Sequence, residues 1–302
     1  MSDTLLDRLA ELKHDRNAVI LAHNYQQPEV QDAADFTGDS LGLSRQAANT
    51  DADVILFCGV HFMAETAAII CPEKTVLIPD PHAGCPMANM VTARELKAKK
   101  AEHPDAAVVC YVNSTAEIKA LSDLCCTSAN AVEVIGTIPA DRPVLFVPDQ
   151  SLGAWAAKQL GRDIILWPGY CPTHHRMLPE HVEAARKAHP DAEVVVHPEC
   201  LADVVAMADH VASTSGMLRY CSESSAAEFV IGTETGMLYP LRKQNPDKAF
   251  YPVTELADCP NMKLTTVQKM VWALEDMEHR VEVPPAVAAD ARRAIDRMLE
   301  IG

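Results

Sequence analysis

Three Cys-Pro pairs set the frame of this chain: AGCPM at Cys85, GYCPT at Cys171 and ADCPN at Cys259 lie 86 and 88 residues apart. The same interval recurs upstream of them. Apolar runs AVILAHNY, AVVCYVN and EVVVHPE end in His23, Tyr111 and His197, spaced 88 and 86 residues. Two positions after each come Tyr25, Asn113 and Glu199, and twelve positions after each come Asp35, Asp123 and Asp209. Five further on stand Ser40, Ser128 and Thr214, so strand end and hydroxyl are 17 residues apart in all three copies. A long period carried by several features at once marks a repeated structural unit.

Each copy reads alike. A β-branched run (19–22, 108–112, 194–196) precedes a helix-like stretch (28–35, 115–123, 200–208) and the segment with the hydroxyl. A second helix follows, then a strand–helix–strand closing on the cysteine through TVLIPD, DIILWP and KAFYPV. Gly161 after SLGAWAAKQL and the proline before EHVEAARKAH are helix stop and start signals. Strands alternating with helices imply parallel sheets covered on both faces. The expected fold is α/β, with three pseudo-threefold-related α/β/α sandwich units around a central active site. The units span residues 1–84 (with a C-terminal helix, 285–302, packed on them), 85–170 and 171–284.

Parallel sheets of this kind hold ligands beyond the carboxyl ends of their strands. His23, Tyr111 and His197 occupy that position by pattern. Ser40, Ser128 and Thr214 open the next helices, where a hydroxyl either caps the helix or holds a carboxylate or phosphate. Three copies facing one axis favour the ligand role.

Ten cysteines and 20 prolines in 302 residues should give roughly 0.7 Cys-Pro pairs by composition, yet four occur, Cys71 included. No C-x-x-C is present, which argues against zinc ribbons, thioredoxin-type motifs and ferredoxin runs. Cys58, Cys110, Cys125, Cys126 and Cys221 lie in apolar or helical stretches and read as small buried residues. Three thiolates meeting on an axis leave one side of a metal centre open. Zinc with a water as its last ligand fits that pattern. So does a [4Fe–4S] cluster whose fourth iron is free to act as a Lewis acid. His174 could donate a hydrogen bond beside such a centre, and His175 reads as structural. Spacing leaves zinc and iron–sulfur both open.

A formal charge of −16 without a basic stripe makes nucleic acid and anionic membranes poor partners. The charged N-terminus MSDTLLDRLAELKHDR has no signal core, and no 18-residue apolar run occurs, so a cytoplasmic location is expected. Positive potential for an anionic substrate must arise locally, from helix N-termini, histidines or a metal.

From about residue 17 to 270 the chain resembles the quinolinate synthase family. The resemblance rests on AHNYQQPEVQDAADFTGDSLGLSR, PDPHAGCPMA, CYVNSTAEIKA, CCTSANAV, FVPDQSLGAW, WPGYCPTHHR, VVVHPEC, STSGM and GTETGM. It implies a [4Fe–4S] cluster on Cys85, Cys171 and Cys259. It also implies condensation of iminoaspartate with dihydroxyacetone phosphate to quinolinate, phosphate and water, for NAD biosynthesis. Substrate contacts carried over by motif are His23, Tyr25, Ser40, Tyr111, Asn113, Ser128, His197, Glu199, Ser213 and Thr214. His23, Tyr111, His197 and Glu199 are the expected proton-transfer groups. The enzyme that supplies iminoaspartate is an expected partner. Some relatives carry a C-x-x-C-x-x-C run at the third cysteine; this chain has CPNM, which argues against a disulfide switch there. The rival readings are a zinc-dependent aldolase-type lyase and a non-catalytic iron–sulfur redox sensor. The sensor would need a basic helix or helix-turn-helix, and neither is visible.

Overall fold

A computed structural model describes residues 3–301. It contains three four-stranded sheets in which every pairing between neighbouring strands is parallel. The first holds β1 (Ala18–His23), β2 (Phe36–Gly38), β3 (Val54–Cys58) and β4 (Thr75–Leu77). The second holds β5 (Ala107–Tyr111), β6 (Leu124–Cys126), β7 (Val144–Val147) and β8 (Ile165–Leu166). The third holds β9 (Glu193–Val196), β10 (His210–Val211), β11 (Glu228–Gly232) and β12 (Ala249–Pro252). The strand order is the same each time: β2-β1-β3-β4, β6-β5-β7-β8 and β10-β9-β11-β12. In each sheet the chain leaves the inner strand in one direction and returns on its other side. That reversal opens a crevice at the carboxyl end of β1, β5 and β9.

The inner strands are apolar without alternation because helices cover both of their faces, and almost every residue in them is buried. The helix that follows each is shorter than its sequence predicts: Pro28–Ala33, Ala116–Ala120 and Ala202–Ala206. The repeated aspartates are the reason. Backbone N–H groups of Asp35, Asp123 and Asp209 donate to the carbonyls of Ile20, Val108 and Val194 at 2.9, 2.9 and 2.8 Å. Their Oδ2 atoms accept from the N–H of those same three residues at 2.9, 2.8 and 2.7 Å. The chain is thereby pulled out of helix and clipped to the inner strand by a closed pair of hydrogen bonds. Asp123→Ala should leave the buried Val108 N–H without its partner and lower unfolding stability by about 1–3 kcal/mol. Denaturant titration checks this, and Asp123→Asn should lose less.

The first two sheets share one apolar core, whereas the third has a separate cluster on each of its faces. The C-terminal helix Pro285–Glu300, expected on the first unit, bridges the first and second. Arg292 Nη1 donates to the Ile70 carbonyl at 2.6 Å, and Asn130 Nδ2 donates to the carbonyls of Met298 and Ile301 at 3.2 and 2.9 Å. Helix Val267–Asp276 lies beyond the third sheet in sequence but packs with helix Asp3–Asp15 on the outer face of the first. Besides that helix, apolar contacts join the third unit to the others at Tyr25 and Met262, and polar ones accompany them. The polar contacts include Asn24 to Thr214 at 3.1 Å and Gln27 to the Thr265 carbonyl at 3.0 Å. Among the described residues no helix is long and apolar enough to cross a membrane.

Candidate active site

The carboxyl ends of β1, β5 and β9 open on one cavity of about 160 Å³. On that measure a single water needs roughly 10–15 Å³, so the space suits a small polar molecule. His23, Tyr111 and His197 line it, as do Tyr25, Asn113 and Glu199 two positions on. Ser40, Ser128 and Thr214 line it too, and so do Cys85, Cys171 and Cys259. Ser213 is the exception among the expected site residues. It is not part of the lining; its hydroxyl accepts from the Gly216 N–H at 3.2 Å and caps helix Thr214–Glu223.

That cap answers a question about the hydroxyls. Helix Ser40–Asn49 is capped by Asp39, whose Oδ1 accepts from the Gly42 N–H at 2.8 Å. In these two helices capping therefore falls to the residue before the hydroxyl, and Ser40 and Thr214 sit inside the first turn and line the cavity. Ser128 differs in lying two residues before the N-cap of its helix, Asn130, and its Oγ lies 3.1 Å from His197 Nε2.

The two repeated histidines are oriented by the same local device. His23 Nδ1 accepts from the Tyr25 N–H at 3.2 Å, and His197 Nδ1 accepts from the Glu199 N–H at 3.3 Å. An Nδ1 that accepts carries no proton, so each neutral ring is the Nε2–H tautomer. In His197 that group donates to Ser128 Oγ. Burial disfavours the imidazolium and pushes His23 down to about 4 and His197 down to about 3.

Glu199 behaves in the opposite sense to its surroundings. Burial alone would raise it, but His174 and His197 beside it hold it down to about 2. His174 Nδ1 lies 2.7 Å from Glu199 Oε2, a close contact that is misaligned for a full hydrogen bond. Glu199 Oε1 and Asn113 Oδ1 are buried with no protein partner. Unsatisfied buried acceptors are rare in native proteins, and both residues belong to the cavity wall, where a bound ligand would meet them. Tyr111 and Tyr25 are raised well above the usual phenol value, by burial first and by Glu199 second, so both stay protonated.

Several functional positions escaped the sequence pattern. His174, read only as a donor beside the centre, is itself wall, stacked on His197 with ring centres 4.7 Å apart. Its neighbour His175 is structural as expected, bonded to Ser151 Oγ at 2.9 Å and stacked on Tyr170. Glu234 is a buried wall carboxylate that accepts from the Cys259 N–H at 3.0 Å and pairs with Lys263 at 2.9 Å. Arg176, at the rim, is the one Arg or Lys in the lining. These residues lie in the visible motifs WPGYCPTHHR and GTETGM, but they have no counterparts in the other copies to single them out.

All ten cysteines are free, and seven are buried; the three that stay partly open are Cys85, Cys171 and Cys259. Cys71, the other Cys-Pro residue, is buried and donates its Sγ–H to the Ala47 carbonyl at 3.1 Å, so it is structural. Each open cysteine starts a tight helical turn: Met87–Asn89, Pro172–His175 or Met262–Leu264. Proline after the cysteine suits a first-turn position where no N–H is needed. Backbone N–H groups further along each turn favour the ionised sulfur: Ala88 and Met87, His174, and Met262 and Asn261 respectively. Burial raises all three thiols, Cys85 to about 12, and they raise one another, Cys85 with Cys259 and Cys171 with Cys85. Three clustered thiolates with N–H donors and no neighbouring cation need a cationic centre to ionise. The donor set therefore fits an iron–sulfur group. A second grouping, Cys171, His174 and Glu199, has ligand atoms within 4.8 Å of one another. It would leave Cys85 and Cys259 without a role and would compete with the contacts His174 already makes.

Comparison with known sequences bears on the same site. The profile of a family described as quinolinate synthetase A protein matches residues 7–300. A quinolinate synthase of Dehalococcoides mccartyi is 56% identical over 294 residues, covering 97% of each chain. One from Thermodesulfovibrio yellowstonii is 53% identical over 302 residues, covering 100% of this chain and 99% of its own. One from Methanosarcina barkeri is 54% identical over 297 residues, covering 98% and 97%.

Proposed function

The chain belongs to the quinolinate synthase family, and from that membership we propose that its three-sided cavity joins iminoaspartate to dihydroxyacetone phosphate. The products are quinolinate, phosphate and water, and the reaction serves NAD biosynthesis. One observation carries the reading: a single cavity collects the only three partly open cysteines together with the ends of the three inner strands. The sheets are read as pseudo-threefold units spanning about 1–84, 85–170 and 171–284, each contributing one strand end, with one open cysteine following each sheet in the chain.

Cys85, Cys171 and Cys259 would hold a [4Fe–4S] cluster. When bound, such a group supplies an iron without a cysteine ligand, a Lewis acid suited to removing hydroxyl as water. The protein supplies the proton chemistry. Glu199 and Tyr111 are neighbours whose surroundings drive them apart, one kept ionised and the other kept protonated. Such a pair divides into base and acid: Glu199 abstracts and Tyr111 donates. His23 and His197 stay neutral and offer Nε2–H groups, which together with Ser40, Ser128 and Thr214 can hold carboxylates without fixed positive charge. Tyr25 and Asn113 complete the substrate wall, and Arg176 at the rim suits the phosphate. Ten unpaired thiols suit a reducing compartment such as the cytoplasm, and iminoaspartate, being labile, suits delivery from the enzyme that makes it.

The test is anaerobic incubation with both substrates and chromatographic detection of quinolinate, omitting each in turn. Formation only with both is expected, and no product from iron-replete protein would overturn the reading. Alanine at Ser40, Ser128 or Thr214 should weaken a dicarboxylate analogue by about 1–3 kcal/mol each, as for a lost charge-assisted bond. Titration calorimetry reads this directly. Unchanged affinity in all three would return the hydroxyls to a local structural role.

A further inference from the structure

Cys110 of β5 stands directly opposite Cys125 of β6 in their parallel pairing. Both are fully buried, and among the described residues no other two cysteines face each other across neighbouring strands. Neighbouring strands lie about 4.8 Å apart, with opposed side chains on one face. A disulfide spans α-carbons about 4.4–6.8 Å apart, so this pair is within reach of one. Helix Ala116–Ala120, which connects the two strands, brings a cation to the same place. Lys119 is 0% exposed, and its Nζ donates to Thr66 Oγ1 at 2.9 Å and to the Phe62 carbonyl at 3.2 Å. These acceptors are neutral, whereas a buried charge needs a partner of opposite sign. Besides Glu65, the groups that support the Lys119 ammonium are the sulfurs of Cys125 and Cys110. We infer that Cys110 and Cys125 form a modification site, which hydrogen peroxide oxidises to a disulfide tying β5 to β6 one residue from Tyr111. The oxidation is independent of the cavity's chemistry, but its effect on turnover rests on reading the cavity as the quinolinate-forming site.

The two thiols are unlike. Burial raises Cys110, but the Cys125 thiol, Ser114 and Lys119 favour its ionised sulfur and bring it below the ordinary thiol value. Cys125 is pushed well above that value, by burial first and by Cys110 second. Cys110 is therefore the attacking sulfur and Cys125 the resolving one. The Cys110 thiolate attacks one peroxide oxygen, and the O–O bond breaks. The departing hydroxide takes the Cys125 proton, leaving water, a sulfenic acid on Cys110 and a thiolate on Cys125. That thiolate attacks the Cys110 sulfur, the S–OH bond breaks, and the hydroxide recovers the proton that Cys110 lost on ionising. Two thiols and one peroxide thus become a disulfide and two waters, with two electrons passing from sulfur to oxygen. Cys126 cannot replace Cys125, because it is paired with Tyr111 and its side chain points to the other face. The cavity feels the link through the backbone. In its neutral form Cys110 donates its Sγ–H to the Tyr111 carbonyl at 3.2 Å, and the disulfide removes that bond.

Anaerobically prepared holoprotein is given hydrogen peroxide in slight excess, then thiol-blocked, digested without reductant and weighed by mass spectrometry. Cleavage after Glu117 puts Cys110 on one peptide and Cys125 with Cys126 on the next. The parent and Cys126→Ala should show these peptides joined, and Cys110→Ala and Cys125→Ala should not. Cys125→Ala should instead keep a sulfenic acid on Cys110 that dimedone traps. Lys119→Met removes the charge and should slow cross-linking by about tenfold, as for a thiol raised by one pKa unit. Turnover of the parent should fall by about 2–10-fold as the link forms, as for one lost hydrogen bond, and return with dithiothreitol. Cys110→Ala, equal to the parent before treatment, should show only the loss that dithiothreitol does not restore, which comes from damage to the iron group. No joined peptides in the parent, or a link that needs Cys126, overturns the inference. So does a Lys119→Met protein that cross-links at the parental rate, and the cysteine variants decide alone where that protein does not fold. Full turnover in cross-linked holoprotein overturns the coupling to Tyr111. Failure of the untreated parent to make quinolinate would instead sink the functional reading and leave the cross-linking result standing.

Discussion

Cys85→Ser, Cys171→Ser and Cys259→Ser should each yield folded protein unable to retain an iron–sulfur group. The anaerobically purified parent should be brown, with about four irons and four sulfides per chain. The argument is one of count and access. Of ten free thiols only these three are partly open, and they line one cavity. Backbone N–H groups of the following turn favour each ionised sulfur, and serine offers a poor oxygen donor where soft sulfur is needed. Loss of activity is expected to be complete. Cys110→Ala is the control: Cys110 is fully buried in β5, away from the cavity lining, and its iron content should match the parent. Iron and sulfide analysis with visible absorbance decides the matter. Stoichiometric zinc in anaerobically prepared protein would instead favour the grouping of Cys171, His174 and Glu199.

Tyr111→Phe and Glu199→Gln should each keep the group but lose turnover by about 10²–10⁴-fold, the range for a positioned acid or base. Tyr111 is 5% exposed at the end of β5, so removing its hydroxyl changes little in shape. What it removes is a phenol that burial and Glu199 keep protonated. Glutamine at position 199 preserves volume and could still contact His174, yet it cannot take a proton. Affinity for a dicarboxylate analogue should change little in Tyr111→Phe. In Glu199→Gln it should hold or improve, because one buried negative charge facing an anion is gone. Single-turnover measurement on iron-replete protein separates these effects from loss of the group. Near-normal rates in both variants would remove Tyr111 and Glu199 from the chemistry.

Much of this site was legible because repetition amplifies weak signals. A histidine at the end of an apolar run is commonplace. The same position in His23, Tyr111 and His197, each with a hydroxyl 17 residues on, is a pattern, and all six residues line the cavity. The repeated aspartates were visible too, but their purpose was not. Only backbone geometry shows that Asp35, Asp123 and Asp209 clip the chain to the inner strand and cut the preceding helix short. Ser213 went the other way: its neighbour Thr214 faces the cavity while Ser213 caps the helix, a one-residue distinction set by local dihedrals. Glu234 and His174 have no partners at the repeat interval, so nothing in the spacing drew attention to them. The C-terminal helix could be foreseen from its amphipathic pattern. Its seat between two units could not, because periodicity says that a face is buried and not what buries it.

The placing of one open cysteine after each sheet bears on how the molecule is made. The three sulfurs follow the three sheets in turn, and the last emerges only with residue 259. A metal group tied across them spans stretches of 86 and 88 residues, and the entropy of closing such loops rises only with the logarithm of their length. Metal-binding energy in such a case is folding energy, spent on docking separate pieces rather than on shaping any one of them. The third sheet has the most to gain, since of the two apolar clusters on its faces one draws on no residue of the other units and the other only on Tyr25. Synthesis interrupted before Cys259, or a last unit that folds without docking, leaves a protein that cannot be charged with iron. A cluster held by these three cysteines would thus serve as an inspection step for a finished chain, and colour during expression should report completed assembly as well as enzyme content.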